Sequence, residues 1–147
     1  ANPDVRWIKV LLKRYDYITD IRLQAGGLIA VAQVDGETID RGMQAIKAIQ
    51  YEAPLGTGGD QLIIVDQDCN PSSTADLFWS IATRSDPSRD VIIDKDNGRF
   101  AIDATARTFD ETGRNWGKTL KMDEEIVEKV TNRWEEYGLP GEGRSIW

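Results

Sequence analysis

Residues 61–65 read Gln-Leu-Ile-Ile-Val, and the last four form a short unbroken apolar run. A strand that is apolar on both faces belongs in the middle of a sheet with helices covering each side. Helical patterns stand around it. From Asp4 to Arg14, Val5, Ile8, Leu11 and Leu12 fall on one stripe, with Asn2-Pro3 as cap and first-turn proline. A second helix, capped by Thr38 and reaching Gln50, carries Ile39, Met43, Ile46 and Ile49. Asn70-Pro71-Ser72-Ser73 opens a third, with Leu77, Phe78, Ile81 and Ala82 expected toward the core. Two strands, Ile18 to Leu23 and Leu28 to Ala32, flank Gly26-Gly27 and read as a hairpin. Val91–Ile93 and Arg99–Ala104 flank the turn Asp96-Asn97-Gly98. Thr105 to Lys121 reads as loop, and Asp123 caps a last helix to Tyr137 ahead of a tail over 138–147. The order predicts an α/β fold: one layered domain over 1–147, with a mixed, mostly parallel sheet flanked by helices.

Composition then removes chemistries. There is no His, which excludes Ser-His-Asp and Cys-His catalysis and His-based metal sites. Cys69 is the single cysteine, so no internal disulfide and no thiolate metal site can form. That cysteine usage favours a reducing compartment, and the expected location is the cytoplasm. The 18 Lys and Arg against 25 Asp and Glu give a net charge of −7, which argues against nonspecific binding to nucleic acid or anionic membrane. No apolar run approaches the roughly 18 residues of a membrane span. Ala1-Asn2-Pro3-Asp4 has no signal-peptide character.

Three motifs invite chemistry. Gly56-Thr57-Gly58-Gly59 precedes a strand rather than following one, the wrong order for a phosphate loop, and reads as a turn. Asp66-Gln67-Asp68 follows the central strand directly, where α/β folds place ligands. An Asp-x-Asp there is also compatible with a phosphatase in which Asp66 is the nucleophile and Mg²⁺ is held by oxygens. The plainer expectation is that both Asp cap loop amides. Cys69, with no His as base, reads as a structural thiol. Arg84, Arg89 and Arg107 either grip an anion or form ion pairs with Asp86, Asp90 or Asp94.

A wider pattern runs through these segments. Leu62 to Asp68, then Asp76-Leu77-Phe78-Trp79-Ser80-Ile81-Ala82-Thr83-Arg84, then Asp86-Pro87-Ser88-Arg89-Asp90 resemble the UbiD family of (de)carboxylases. Ile102-Asp103-Ala104-Thr105 with Arg107, and Trp116-Gly117 before the helix from Asp123, are similar to later family segments in the same order. The likeness covers about residues 6–137 and only the C-terminal domain of such enzymes. By that resemblance, the cofactor (prenylated FMN with a divalent metal and K⁺) and the catalytic Glu-Arg-Glu set belong to the other part. Two departures concern the cofactor: no Lys or Arg stands in Gly58-Gly59-Asp60-Gln61 before the strand, and Gln67 replaces an acid.

The resemblance implies a non-catalytic small subunit of a split UbiD-type enzyme, similar to the small subunits of aromatic-ring carboxylases. It would join a large catalytic subunit in a hetero-oligomer, with no catalytic residue and no cofactor of its own. It places Asp103, Ala104, Thr105 and Arg107 on the substrate side as a cover, and Arg84, Asp86 and Arg89 in a structural or interface ion network. Trp7, Trp134 and Trp147 are candidate interface anchors. Two alternatives stay open: a binding module of the same fold with Asp66 and Asp68 at a ligand cleft, and the Asp66 phosphatase.

Overall fold

The computed structural model describes residues 5–36, 39–113 and 122–138. Asn2, Pro3, Thr38, Trp116 and Trp147, all used above, lie outside them. The chain divides into two compact units, Ala1–Trp116 and Gly117–Trp147.

The first unit runs α1 (Arg6–Arg14), β1 (Ile18–Gln24), β2 (Ile29–Val34), α2 (Arg41–Glu52), β3 (Gln61–Asp66), α3 (Thr74–Arg84), β4 (Val91–Asp94), β5 (Arg99–Ala104) and α4 (Phe109–Thr112). The five strands form one mixed sheet in the order β1-β2-β3-β5-β4. β2, β3 and β5 are parallel neighbours, while β1 and β4 pair antiparallel at the edges. Parallel pairing therefore makes up half of the ladder rather than most of it. The apolar run of β3 is central, as its two-faced character requires.

Alternation along the strands sorts the core into two layers. Ala30, Ala32, Val34, Leu62, Ile64 and Ala101 pack with Trp7 and Leu11 of α1 and Ala45, Ile46 and Ile49 of α2. On the other face Val31, Val65 and Ala104 meet Cys69 and Leu77, a far smaller cluster. Trp7 is 5% exposed and belongs to the first layer, so burial in the chain's own core corrects its reading as an interface anchor. Val5 and Leu12, expected on the apolar stripe, are exposed.

The segment after β3 does not lead straight into a helix. Gln24 Nε2 donates to the carbonyl of Pro71 (2.8 Å) and Gln33 Nε2 to that of Cys69 (2.6 Å). These bonds lay residues 67–71 back along the sheet, toward the starting end of β2 and β3. Ser73 then caps α3, accepting from the Asp76 amide, and α3 climbs so that its last residue, Arg84, returns to the carboxyl end of β3. Leu77 and Ser80 turn inward as buried residues, whereas Phe78 and Ala82 face outward, contrary to the expectation from spacing. Ile39 is likewise exposed, because α2 starts at Arg41 rather than at Thr38.

The stretch expected as loop after β5 contains α4. Its Thr108 and Glu111 form a capping box, each side chain satisfying the other's backbone amide. The second unit holds α5 (Glu124–Asn132), capped by Asp123, and a 3₁₀ turn over Trp134–Tyr137 that opens with the buried Trp134.

Candidate functional site

The carboxyl ends of β3 and β5 carry a continuous set of ion pairs. Asp66 closes β3. One of its oxygens accepts from Arg41 Nη2 (2.6 Å), and the other from Arg84 Nη1 (2.9 Å) and the Ala106 amide (2.6 Å). Arg41 Nη2 also donates to the Ala106 carbonyl (2.9 Å). The Arg84 guanidinium grips Asp68 with both terminal nitrogens, at 2.8 and 2.6 Å, and lies over the Trp79 ring at 5.0 Å.

A second group is centred on Arg107. Its Nη2 serves both Asp90 and Asp103 (2.8 Å to the latter), and its Nη1 reaches Glu111 at 3.2 Å. Asp103 also accepts from the Thr105 amide (3.1 Å) and hydroxyl (2.7 Å). Asp90, fully buried, is gripped by Arg89 at 2.8 and 2.7 Å and accepts from the Asp86 amide at 2.7 Å. Glu111 takes amides from Thr108 (2.6 Å) and Asp40 (3.0 Å), so the start of α2 touches both groups through Asp40 and Arg41.

Gly42 explains why α2 can come so close. A Cβ there would stand 2.1 Å from an Asp103 carboxylate oxygen, so only glycine admits this approach.

Electrostatics follow the geometry. Hydrogen bonding to Asp68 holds Arg84 firmly protonated, despite burial. Burial alone would raise Asp90, but Arg89, the Asp86 amide and Arg107 outweigh it and its carboxyl is held low. Glu111 is pushed down to about 2: burial opposes the shift, and the Thr108 and Asp40 amides, the Thr108 hydroxyl and Arg107 overcome it. Asp103 goes the other way. Its desolvation exceeds the help from Thr105 and Arg107, and its carboxyl is raised. Burial also pushes up the Cys69 thiol, in keeping with a structural role.

The placement sharpens the sequence reading. Asp103, Ala104, Thr105 and Arg107 come together, but all four are buried and their polar atoms face one another. Arg84 and Arg89 are in the network, whereas the Asp86 side chain binds the Ser88 amide and hydroxyl and joins only through its own N–H. Of the two Asp expected to cap loop amides, Asp66 does accept one, from Ala106, and both are held chiefly by guanidiniums. Two guanidiniums and an amide hold both oxygens of Asp66, a pairing that stabilises its charge and makes it a poor nucleophile, which disfavours the phosphatase reading. The same pairing already engages Asp66 and Asp68 within the chain, although the Asp68 side chain stays 30% exposed. Among the described residues no group of three or more His, Cys, Asp or Glu comes together to hold a metal. Four guanidiniums here face five carboxylates, so a phosphate would meet a net negative locus. These residues do not fit a flavin phosphate or its metal.

Sequence reasoning missed Arg41 and Glu111. Arg41 gave no signal, because its partner Asp66 lies 25 positions away. Glu111 did give one, since Thr108-x-x-Glu111 is a capping-box pattern.

Comparison with known proteins gives a consistent answer. The profile of the UbiD C-terminal domain family (3-octaprenyl-4-hydroxybenzoate carboxy-lyase C-terminal domain) matches residues 7–120. An uncharacterized Synechocystis protein, sll0936, is 30% identical over 148 residues, covering 88% of this chain and 30% of the relative. The fold is similar to Sedimentibacter hydroxybenzoicus vanillic acid decarboxylase in closed form, with a TM-score of 0.67 and 18% identity over 88% of this chain and 31% of that one. It is also similar to an evolved dimeric form of the UbiD-class enzyme HmfF from Pelotomaculum thermopropionicum in complex with prFMN. There the TM-score is 0.60 with 20% identity, over 79% of this chain and 28% of that one. The chain thus spans about 30% of the length of the proteins it matches.

Proposed function

The chain belongs to the UbiD C-terminal domain family, and from that premise we propose that it is the non-catalytic small subunit of a split UbiD-type enzyme. A larger subunit carries prenylated FMN, with its divalent metal and K⁺, and the reaction is (de)carboxylation of an aromatic or unsaturated acid in the cytoplasm. The bound cofactor supplies the stabilisation of the carbanion-like centre.

The observation that carries the reading is the internally paired ion network at the carboxyl ends of β3 and β5. Every carboxylate and guanidinium described there already has a partner inside the chain. Such an array does no acid–base chemistry. It does fix the path of residues 104–108 rigidly, because Ala106 is tied through both its amide and its carbonyl and Thr105 through its amide and hydroxyl. A rigid, internally paired segment suits a part that closes over a partner's site and excludes water. Asp103, Ala104, Thr105 and Arg107 act in this reading by shaping that surface, not by touching substrate.

The test is native mass and absorbance of the chain purified gently, without oxygen, from its own source. The expected result is co-purification with a substantially larger chain that carries a flavin-like spectrum. A colourless assembly built only from this 16.5 kDa chain would overturn the reading.

A further inference from the structure

The turn between β4 and β5 holds the only Asn-Gly pair in the sequence, Asn97-Gly98. Lys95 to Gly98 are all exposed. Gly98 turns with a positive φ of 65°, and no atom stands within 4 Å of where a Cβ would lie. Its amide donates to no group among the described residues. Asn97, in contrast, is held by Asp94. One Asp94 oxygen accepts from the Asn97 amide (3.2 Å) and the Asp96 amide (3.1 Å), and the other accepts from Asn97 Nδ2 (2.8 Å).

A free, unshielded backbone amide next to an asparagine side chain is a nucleophile beside its target. The Gly98 nitrogen attacks the Asn97 side-chain carbonyl carbon and forms a C–N bond. The side-chain –NH2 leaves with the Gly98 amide proton as ammonia, and a five-membered succinimide closes. Water then opens the ring. Opening at one carbonyl gives aspartate, and opening at the other gives isoaspartate, whose main chain runs through Cβ. One water enters and one ammonia leaves, with no oxidant or metal in the balance. We propose that Asn97-Gly98 is a spontaneous deamidation site, and that Asp94 sets its pace by holding the side chain that must swing onto Gly98.

No other asparagine is placed as well. Asn2 and Asn70 precede prolines, which have no N–H. Asn115 and Asn132 precede Trp116 and Arg133, whose side chains crowd the attack. Asp35-Gly36 is the nearest parallel, but its Gly36 amide already donates to the Asp35 carboxylate (2.7 Å), and a carboxylate is a poor target for an amide nitrogen. The product changes the turn. A carboxylate in place of the Asn97 amide has no proton to give Asp94, so an attraction becomes a like-charge repulsion. In the isoaspartyl form the extra backbone methylene falls just ahead of Arg99, whose guanidinium holds Asp60 (3.0 Å) and the Ala53 carbonyl (2.7 Å). β4 is an edge strand paired to β5 alone, so a loosened turn leaves it no second neighbour to keep its register.

The inference does not depend on the function proposed above, and its test is separate. The full chain is incubated in warm, mildly alkaline buffer and mapped by peptide mass. The peptide holding Asn97 should become one mass unit heavier and take label from an isoaspartyl methyltransferase, while those holding Asn70 and Asn132 keep their mass. Gly98→Ala should slow the change severalfold. Asp94→Ala should speed it severalfold, toward the rate of the urea-unfolded chain, with an unchanged circular dichroism spectrum. The modified chain should melt below fresh chain, and below Asn97→Asp, which carries the charge without the longer backbone. An Asn97 peptide that keeps its mass, or changes no faster than the Asn132 peptide, would overturn the site. An Asp94→Ala chain that deamidates at the wild-type rate or slower would overturn the role of Asp94.

Discussion

The two faces of the sheet are finished to different degrees. On the face covered by α1 and α2 the layer is closed: Leu11, Ile46, Ile49, Leu62 and Ile64 are fully buried, and Asp103 is wedged against Gly42 with no space between. On the face that α3 covers, Ile29, Ile63 and Ile102 are only partly covered, and Val91 and Ile93 are exposed. The first face has what it needs within the chain. The second has apolar surface left over, which monomeric proteins keep small. The lesson is that this unit is stable through one face and available through the other.

Asp90→Ala tests the closed side most severely. It leaves Arg107 buried with one fewer carboxylate and strips Arg89 of its partner, so the expected loss of stability is about 4 kcal/mol. Urea unfolding of both chains measures it, and a loss below about 1 kcal/mol would mean that the network is ornamental. Gly42→Ala comes next. Within a helix this change ordinarily stabilises, by up to about 1 kcal/mol in the interior and less in the first turn, where Gly42 stands. Here the new methyl group would collide with Asp103 at 2.1 Å, and the expected sign reverses to a loss of about 3 kcal/mol. A stabilised variant would show that α2 can move away and that this face is less closed than its contacts suggest.

The pH dependence of the same network carries a sign. Glu111 is depressed from an ordinary 4.5 to about 2, so its contribution is fully present above about 4.5 and is lost as pH falls toward about 2. Asp90 is depressed too and acts in the same sense. Asp103 is raised, so its charged form costs stability near neutral pH and that cost is relieved as pH falls. Glu111→Gln removes one depressed group and should lower stability by about 2 kcal/mol at pH 7. The gap between the two chains should narrow steadily in unfolding measurements repeated toward pH 3. A constant gap would mean that Glu111 acts through shape alone.

What could be read from the sequence divides along the same line. β3 and β5 fall where their apolar patterns put them, because a strand covered on both faces leaves a plain signal. The hairpin of β1 and β2 and the cap at Asp123 were legible for equally local reasons. α3 was not, and the physical cause is specific. Its inward positions are Leu77, Ser80, Ile81 and Arg84, while its outward stripe holds Phe78, Trp79 and two alanines. Periodicity finds an apolar face, but it cannot say whether the chain itself or something else will cover it. The ion network was half legible. Arg84, Arg89, Asp103 and Arg107 drew notice as charges near strand ends, but the pairings of Arg84 with Asp66 and Asp68 and of Arg107 with Asp90 join residues 16 to 18 positions apart, and Arg41 reaches 25. The burial of Asp103, Thr105 and Arg107 is a property of the whole fold and of no single segment.

The smallest expected effect is the most informative, because it separates two neighbouring residues. Leu77 is 9% exposed and packs on Val65 and Ala104, so Leu77→Ala should cost about 2 kcal/mol, at the low end for a leucine at the rim of a core. Phe78, the next residue and the larger one, is 69% exposed in the single chain. Phe78→Ser should change the unfolding free energy of dilute chain by no more than about 0.5 kcal/mol. Urea unfolding of wild type and both variants at one low concentration reads this directly. If Phe78→Ser costs as much as Leu77→Ala, the outward stripe of α3 is packed within the chain and this face is as closed as the other.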